Sequence, residues 1–99
     1  MTVDDLRASL GDPQPPPGLP ALVNALWFSG RGDWDAAHAI AQDVEGAEGA
    51  WVHAHLHRKE GDAANAAYWY GRAAKPVCTR DFDQEWSDIA RSLLLPHPR

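Results

Sequence analysis

Apolar residues recur along the chain at spacings of three and four, the period of an α-helix that buries one face. The clearest case lies near the C-terminus, where the residues at this spacing are Phe82, Trp86, Ile89, Ala90, Leu93 and Leu94. Similar periods occur in four earlier segments, at about 20–29, 34–44, 50–60 and 63–75. No segment alternates apolar and polar residues as a half-buried strand would. The pattern therefore predicts an all-α protein with about five helices.

Glycine and aspartate mark where several of these helices begin. Gly32-Asp33 and Gly61-Asp62 each precede an alanine-rich segment, and an aspartate at this position can cap the free amides of the first turn. Thr79 is a candidate cap for the last helix. Because the predicted connections are short, neighbouring helices are expected to pack antiparallel, as helical hairpins.

The N-terminal residues differ from the rest of the chain because proline dominates them. Residues 13–18 are PQPPPG, and three consecutive prolines favour an extended polyproline conformation over a helix. We therefore expect a flexible, proline-rich arm over 1–19 and a single helical domain over 20–95. Pro96 and Pro98 are expected to end the last helix.

Composition and charge exclude several classes of partner. Ninety-nine residues fit one domain, and the net charge of −5 leaves only Arg58-Lys59 as a tight basic cluster, so nucleic acid is not expected as a partner. No apolar run approaches the roughly 20 residues of a membrane span. Asp4 and Asp5 stand where a secretory signal would carry positive charge, which predicts a cytoplasmic protein. Cys78 is the only cysteine, which excludes an internal disulfide.

The two Gly-Asp turns begin copies of one pattern that lie 29 residues apart. The second copy includes small residues before the turn and an aromatic residue after it: Ala50, Ala54, Ala66, Tyr70 and Ala73. This stretch resembles a tetratricopeptide repeat, and Gly32-Asp33 with Ala37 and Ala41 is similar to the second half of a preceding, degenerate repeat. The usual period of that family is about 34. The resemblance implies a stack of helical hairpins with a C-terminal capping helix, and binding of peptides along a concave face.

Unusual polar and aromatic residues are concentrated in the second hairpin. The candidate binding residues are Trp51, His53, His55, His57, Arg58, Tyr68 and Arg72. A groove formed by such residues would suit a peptide, a protein or a second copy of the chain. Since no complete catalytic set is evident, the primary hypothesis is a non-enzymatic interaction module with no catalytic residue, no metal ligand and no cofactor.

The histidines support an alternative from a different class, a metal-binding protein or a histidine-based enzyme that uses His38, His53 and His57. His53 and His57 are four residues apart and share one face of a helix, whereas His55 points elsewhere. Two imidazoles at this spacing can chelate a metal, but the glutamate of a zinc-protease motif is missing between them. The candidates for a third ligand are His38, Glu45, Glu48 and Glu60. A third interpretation has His53 and His57 partly buried between helices and hydrogen-bonded to the backbone or to Asp and Tyr side chains.

Overall fold

The computed structural model describes residues 1–95, and every regular element among them is helical. The α-helices are α1 (Val3–Ala8), α2 (Ala21–Gly30), α3 (Trp34–Ala41), α4 (Ala47–Lys59), α5 (Ala63–Arg72) and α6 (Phe82–Leu94). The all-α prediction is therefore confirmed for this part of the chain. The stop predicted at Pro96 and Pro98 lies outside the described residues. Within 1–95, no helix is both long and apolar enough to cross a membrane.

The two Gly-Asp turns begin α3 and α5, as the sequence predicts. Gly32 and Gly61 have φ angles of 81° and 88°, in the left-handed region that glycine enters without steric cost. The side chains of Asp33 and Asp62 then each accept a first-turn amide at 3.1 Å. These caps satisfy amides that have no partner within the helix.

Some helix boundaries differ from the predicted ones. The Asp81 side chain accepts from the amide of Gln84 at 2.7 Å, so Asp81 rather than Thr79 is the N-cap of α6. Helices α3 and α5 end at Ala41 and Arg72, earlier than their apolar patterns suggest. Because α4 also begins earlier than predicted, at Ala47, the connection before it keeps its expected length, and it is the connection between α5 and α6 that is longer than expected.

Helix α4 is the centre of the fold. It forms a hairpin with α5, as α2 does with α3, and it also packs against α2, α3 and α6. The main core lies between these helices and includes Val23, Leu26, Val52, Leu56 and Ile89, all fully buried. Since α4 has neighbours on several sides, its polar residues also face other helices.

Part of the segment 1–19, which was expected to be a flexible arm, packs on this core, namely α1 and the turn that follows it, whereas the proline-rich residues after them are mostly exposed. Thr2 and Asp5 form a capping box at the start of α1, in which each side chain accepts the backbone amide of the other residue. Leu6 is fully buried in the main core. A helix of six residues has little stability of its own, so α1 depends on the burial of Leu6. The short sequence pattern alone could not predict this burial.

The helical arrangement does not confirm the tetratricopeptide resemblance. The two hairpins are unequal, since α2 and α3 have ten and eight residues whereas α4 and α5 have thirteen and ten. Helix α6 packs mainly against α1, α2 and α4 and is therefore not simply a cap after α5. The repeat and its capping helix stay a prediction.

Candidate functional site: a histidine cluster between two hairpins

Three imidazoles meet where α3 packs against α4. His53 and His57 lie one turn apart on α4, and His38 reaches the same place from α3. The Nε2 atoms of His38 and His53 are 2.8 Å apart, and one ring nitrogen from each of the three residues lies within 4.8 Å of the others. His53 and His57 are buried and His38 is half-buried. We call these three residues the histidine cluster.

Two tryptophan rings enclose the histidine cluster. Trp34 stacks on His38 with ring centroids 4.7 Å apart and meets His57 edge-on at 5.8 Å. Trp69 stacks on His53 from α5, with centroids 4.0 Å apart. The two stacked contacts cover one face of His38 and one face of His53, and all three contacts hold the rings in defined orientations.

Burial and mutual proximity favour the neutral form of two cluster members. Burial, together with the proximity of His38 and His57, lowers the pKa of His53 to about 4. Burial and His57 also lower the pKa of His38, against opposite effects of Glu60 and Asp35. A neutral imidazole keeps a lone pair on one ring nitrogen, and this is the form that binds metal.

Glu60 orients the third member of the cluster. Its Oε1 lies 2.6 Å from Nδ1 of His57. Because a carboxylate only accepts, Nδ1 donates the proton, and Nε2 of a neutral imidazole keeps its lone pair. Metal-binding histidines commonly have such a carboxylate on the other nitrogen. The sequence predicted Glu60 only as a possible direct ligand. In the structure it is instead the hydrogen-bond partner of a candidate ligand, His57.

A second group of potential ligands shares His57 but is less suited to a metal. The ligand atoms of His57, Glu60 and Asp62 also lie within 4.8 Å of one another. However, Glu60 and Asp62 are exposed, and the Asp62 carboxylate already caps α5. Exposed carboxylates that lie close together are common in proteins without a metal, so the histidine cluster is the stronger candidate.

A polar cleft of about 520 Å³ lies against the His53 side of the cluster. His53 and Trp69 form part of its wall. The other lining residues come from the α3–α4 connection, the start of α4 and the end of α5, and include Gln42, Glu45, Gly46, Ala47 and Arg72. The cluster is therefore next to a space that is large enough for a small molecule.

His55 belongs to a different environment, because it points towards α6 and is fully buried. Its Nδ1 lies 2.6 Å from Oε1 of Glu85, which also accepts from Arg58 at 2.9 Å. The hydroxyl of Tyr70 donates to the other carboxylate oxygen. Burial opposes the charge of Glu85, but the hydrogen bonds from His55 and Tyr70 outweigh it, so the pKa of this carboxyl lies below its usual value. His55 is thus a core residue, although its buried Nε2 has no hydrogen-bond partner among the described residues.

The other candidate binding residues do not share one groove. Tyr68 and Arg72 are exposed on α5, where Arg72 donates to the Tyr68 hydroxyl at 3.1 Å. Trp51 is half-buried, with the Lys75 ammonium 4.3 Å from its ring centroid. Arg58 is directed to α6, where it lies 4.6 Å from the Phe82 ring centroid. The residues expected to form a single surface therefore lie on several faces of the hairpin.

The sequence carried signals for two features that were not predicted. Glu85 lies on the apolar stripe of α6, three residues after Phe82 and four before Ile89, and a buried carboxylate requires donors nearby. Trp34 precedes His38 by one helical turn, which places both rings on one side of α3. Neither pattern identifies the partner on the other helix.

Comparison of the chain with protein-family models, with curated proteins and with solved structures gave no match in any of the three. The geometry of the described residues is therefore the basis for a function.

Proposed function

We propose that this protein binds a divalent transition-metal ion, of which zinc is the representative, through His38, His53 and His57. The observation that carries the proposal is the convergence of three imidazoles from two different hairpins. His38 and His53 meet through their Nε2 atoms, which share one proton. For both Nε2 atoms to bind one ion, that proton must move to Nδ1 of its own ring, which leaves both imidazoles neutral. Protonation to imidazolium removes the lone pair, so metal affinity should fall in acid.

The spacing of the ring nitrogens is compatible with one ion after small side-chain adjustments. Two ligands of tetrahedral zinc, at about 2.0–2.1 Å from the metal, lie roughly 3.3 Å from each other. The Nε2 atoms of His38 and His53, at 2.8 Å, are slightly closer than that, and the widest separation in the cluster does not exceed 4.8 Å. Rotation of side chains on α3 and α4 can bring three nitrogens around an ion without a change of fold.

The chemistry of the donors selects the class of metal. Imidazole nitrogen suits zinc, copper, nickel and iron, whereas magnesium and calcium prefer oxygen ligands. The cluster contains no thiolate, and its nearest carboxylate, Glu60, is engaged with His57. A net charge of −5 also favours accumulation of cations around the chain.

The interaction-module hypothesis stays a prediction with less support from the geometry. His55 is inside the core, where Glu85 is its partner, and it cannot contact a ligand there. Tyr68 and Arg72 are exposed, but they lie on another face of the hairpin from Arg58. The metal hypothesis, in contrast, needs no rearrangement of helices.

The test is metal binding by protein that has no histidine tag. We expect elemental analysis and calorimetric titration to give one zinc ion per chain. Zinc at 100 times its dissociation constant should stabilise the fold by about 2.7 kcal/mol. For a chain of this size that corresponds to a rise of roughly 10–20 °C in melting temperature. A chelator should reverse the rise.

Variants identify the ligands. Loss of a residue that only hydrogen-bonds to a metal ligand costs about 10–100-fold in metal affinity. H38Q and H53Q each remove a ligand itself, so each should weaken zinc binding by at least about 100-fold. E48Q is the matched control, because Glu48 is exposed on the same helix as His53 and outside the cluster. Absence of stoichiometric zinc, together with a melting temperature that neither zinc nor chelator changes, would refute the proposal.

A further inference from the structure

The histidine cluster supplies three ligands, one fewer than tetrahedral zinc requires. Zinc sites with three protein ligands usually keep the fourth position for water or for an exogenous ligand. Glu45 also lines the neighbouring cleft, but it does not belong to the groups of described residues whose ligand atoms converge. The following inference rests on the proposed metal site and concerns what occupies its fourth position.

The members of the cluster differ in what surrounds them. Trp34 covers His38 and the edge of His57, and Glu60 occupies Nδ1 of His57. His53, together with Trp69, lines the 520 Å³ cleft, whereas neither His38 nor His57 does. A ligand that reaches the cluster through a preformed space would therefore come from this cleft.

Two further features make the cleft suitable for a negatively charged group. Arg72 lines it, with its guanidinium carbon 5.9 Å from the Trp69 ring centroid, and a guanidinium can pair with an oxyanion through two parallel hydrogen bonds. The N-terminus of α4 also borders the cleft through Gly46 and Ala47. Gly46 has no side chain to cap the first amides, so the positive end of the helix dipole is left for a ligand.

Glu45 is the opposing charge in the same wall. Glu48 adds a second carboxylate in the first turn of α4. These two carboxylates are set against a guanidinium, a helix N-terminus and, in the loaded protein, a divalent ion, so the balance of charge remains positive. We propose that the metal-loaded protein binds a small oxyanion in this cleft, with one oxygen on the metal and another on Arg72.

The test uses the Co²⁺-loaded protein, because the visible spectrum of cobalt reports its ligands directly. Titration with acetate, for a carboxylate, and with sulfate, for a tetrahedral oxyanion, should change this spectrum and saturate. Chloride at equal ionic strength should have a smaller effect. Whichever of acetate and sulfate binds more tightly identifies the kind of oxyanion that the cleft accommodates.

Variants separate this inference from the proposed function. R72A should weaken binding of the preferred oxyanion at least fivefold without altering the affinity for Co²⁺. R91A is the matched control, since Arg91 is exposed on α6 and does not line the cleft, and it should change neither affinity.

Three outcomes would overturn the inference while leaving the metal site intact. The first is a spectrum that neither oxyanion alters. The second is equal oxyanion binding by R72A and the unaltered chain. The third is a weaker Co²⁺ affinity and an altered spectrum in E45Q, which would make Glu45 the fourth ligand. A failure to bind Co²⁺ at all would instead contradict the proposed function.

Discussion

His55 and His57 lie two residues apart on α4 and make hydrogen bonds of the same length to different glutamates. Nδ1 of each imidazole is 2.6 Å from a carboxylate oxygen, of Glu85 for His55 and of Glu60 for His57. The Glu85 side chain is 3% exposed, whereas that of Glu60 is 36% exposed. The two pairs therefore differ in their exposure to water and not in their hydrogen-bond length. Water weakens an exposed ion pair, and it can hydrogen-bond to the remaining group when one partner is removed.

The first prediction compares these two carboxylates in the metal-free protein. E85Q leaves Arg58 and His55 without a charged partner in the core, and we expect a loss of roughly 2–4 kcal/mol in unfolding free energy. E60Q should cost less than about 1 kcal/mol, because its site is accessible to water. Urea unfolding in the presence of a chelator measures both. Equal losses for the two variants would show that the Glu85 network is not the stronger one.

At the level of helices, the second prediction compares two glycines in helical backbone. A Cβ on Gly49, in the first turn of α4, would lie 2.0 Å from the Val44 carbonyl oxygen, whereas a Cβ on Gly71 in α5 would meet nothing within 4 Å. We expect G49A to destabilise the protein by about 1–3 kcal/mol through this overlap. G71A should stabilise it by up to about 1 kcal/mol, since alanine is the better helix former.

Thermal or urea unfolding of the two glycine variants provides the measurement, and each serves as the control for the other. If G49A were as stable as G71A, the connection between α3 and α4 would have to be looser than its close backbone contact indicates. Such a result would also weaken the argument that the cleft is preformed, because Gly49 lies in its wall.

The sequence predicted elements that are specified locally. The caps of α3 and α5 and the apolar stripe of α6 were identified because each depends on residues within a turn or two of one another. Helix α1 was missed, since its main support is the burial of Leu6 by helices remote in the chain. Local propensity carries little information about such a short helix.

The candidate site was likewise predictable only where it depends on residues that are close together in the sequence. The spacing of His53 and His57 placed both on one face of α4, but the approach of His38 depends on how two hairpins dock. The partner of His55 is Glu85, thirty residues further along the chain, and no local pattern links them. For that reason the sequence placed His55 in a binding groove, whereas the structure places it in the core.

At the level of the whole molecule, the third prediction concerns pH. The reference pKa of histidine is 6.5, and the folded-state pKa of His53 is about 4. The unfolded chain therefore takes up a proton first as the pH falls, which favours unfolding. The contribution of His53 is fully present above pH 6.5 and is lost between pH 6.5 and 4. His38, whose pKa is also lowered, acts in the same direction.

With a chelator present, we expect the unfolding free energy to be about 2 kcal/mol lower at pH 5 than at pH 7.5, from His53 alone. Urea unfolding at a series of pH values tests this, with H53Q as the control that should flatten the profile. An unchanged free energy between pH 7.5 and 5 would contradict the burial of an uncharged His53.

The division of the histidine cluster between two hairpins has a consequence for the molecule as a unit. His38 belongs to α3 and His53 and His57 to α4, so an ion bound to all three can exist only while the hairpins are docked. Metal affinity and hairpin docking are then thermodynamically linked, and each must strengthen the other by the same free energy. A substitution that disturbs only the α3–α4 connection would lower metal affinity from a distance. The bound ion would in turn make the two hairpins unfold together, as one cooperative unit.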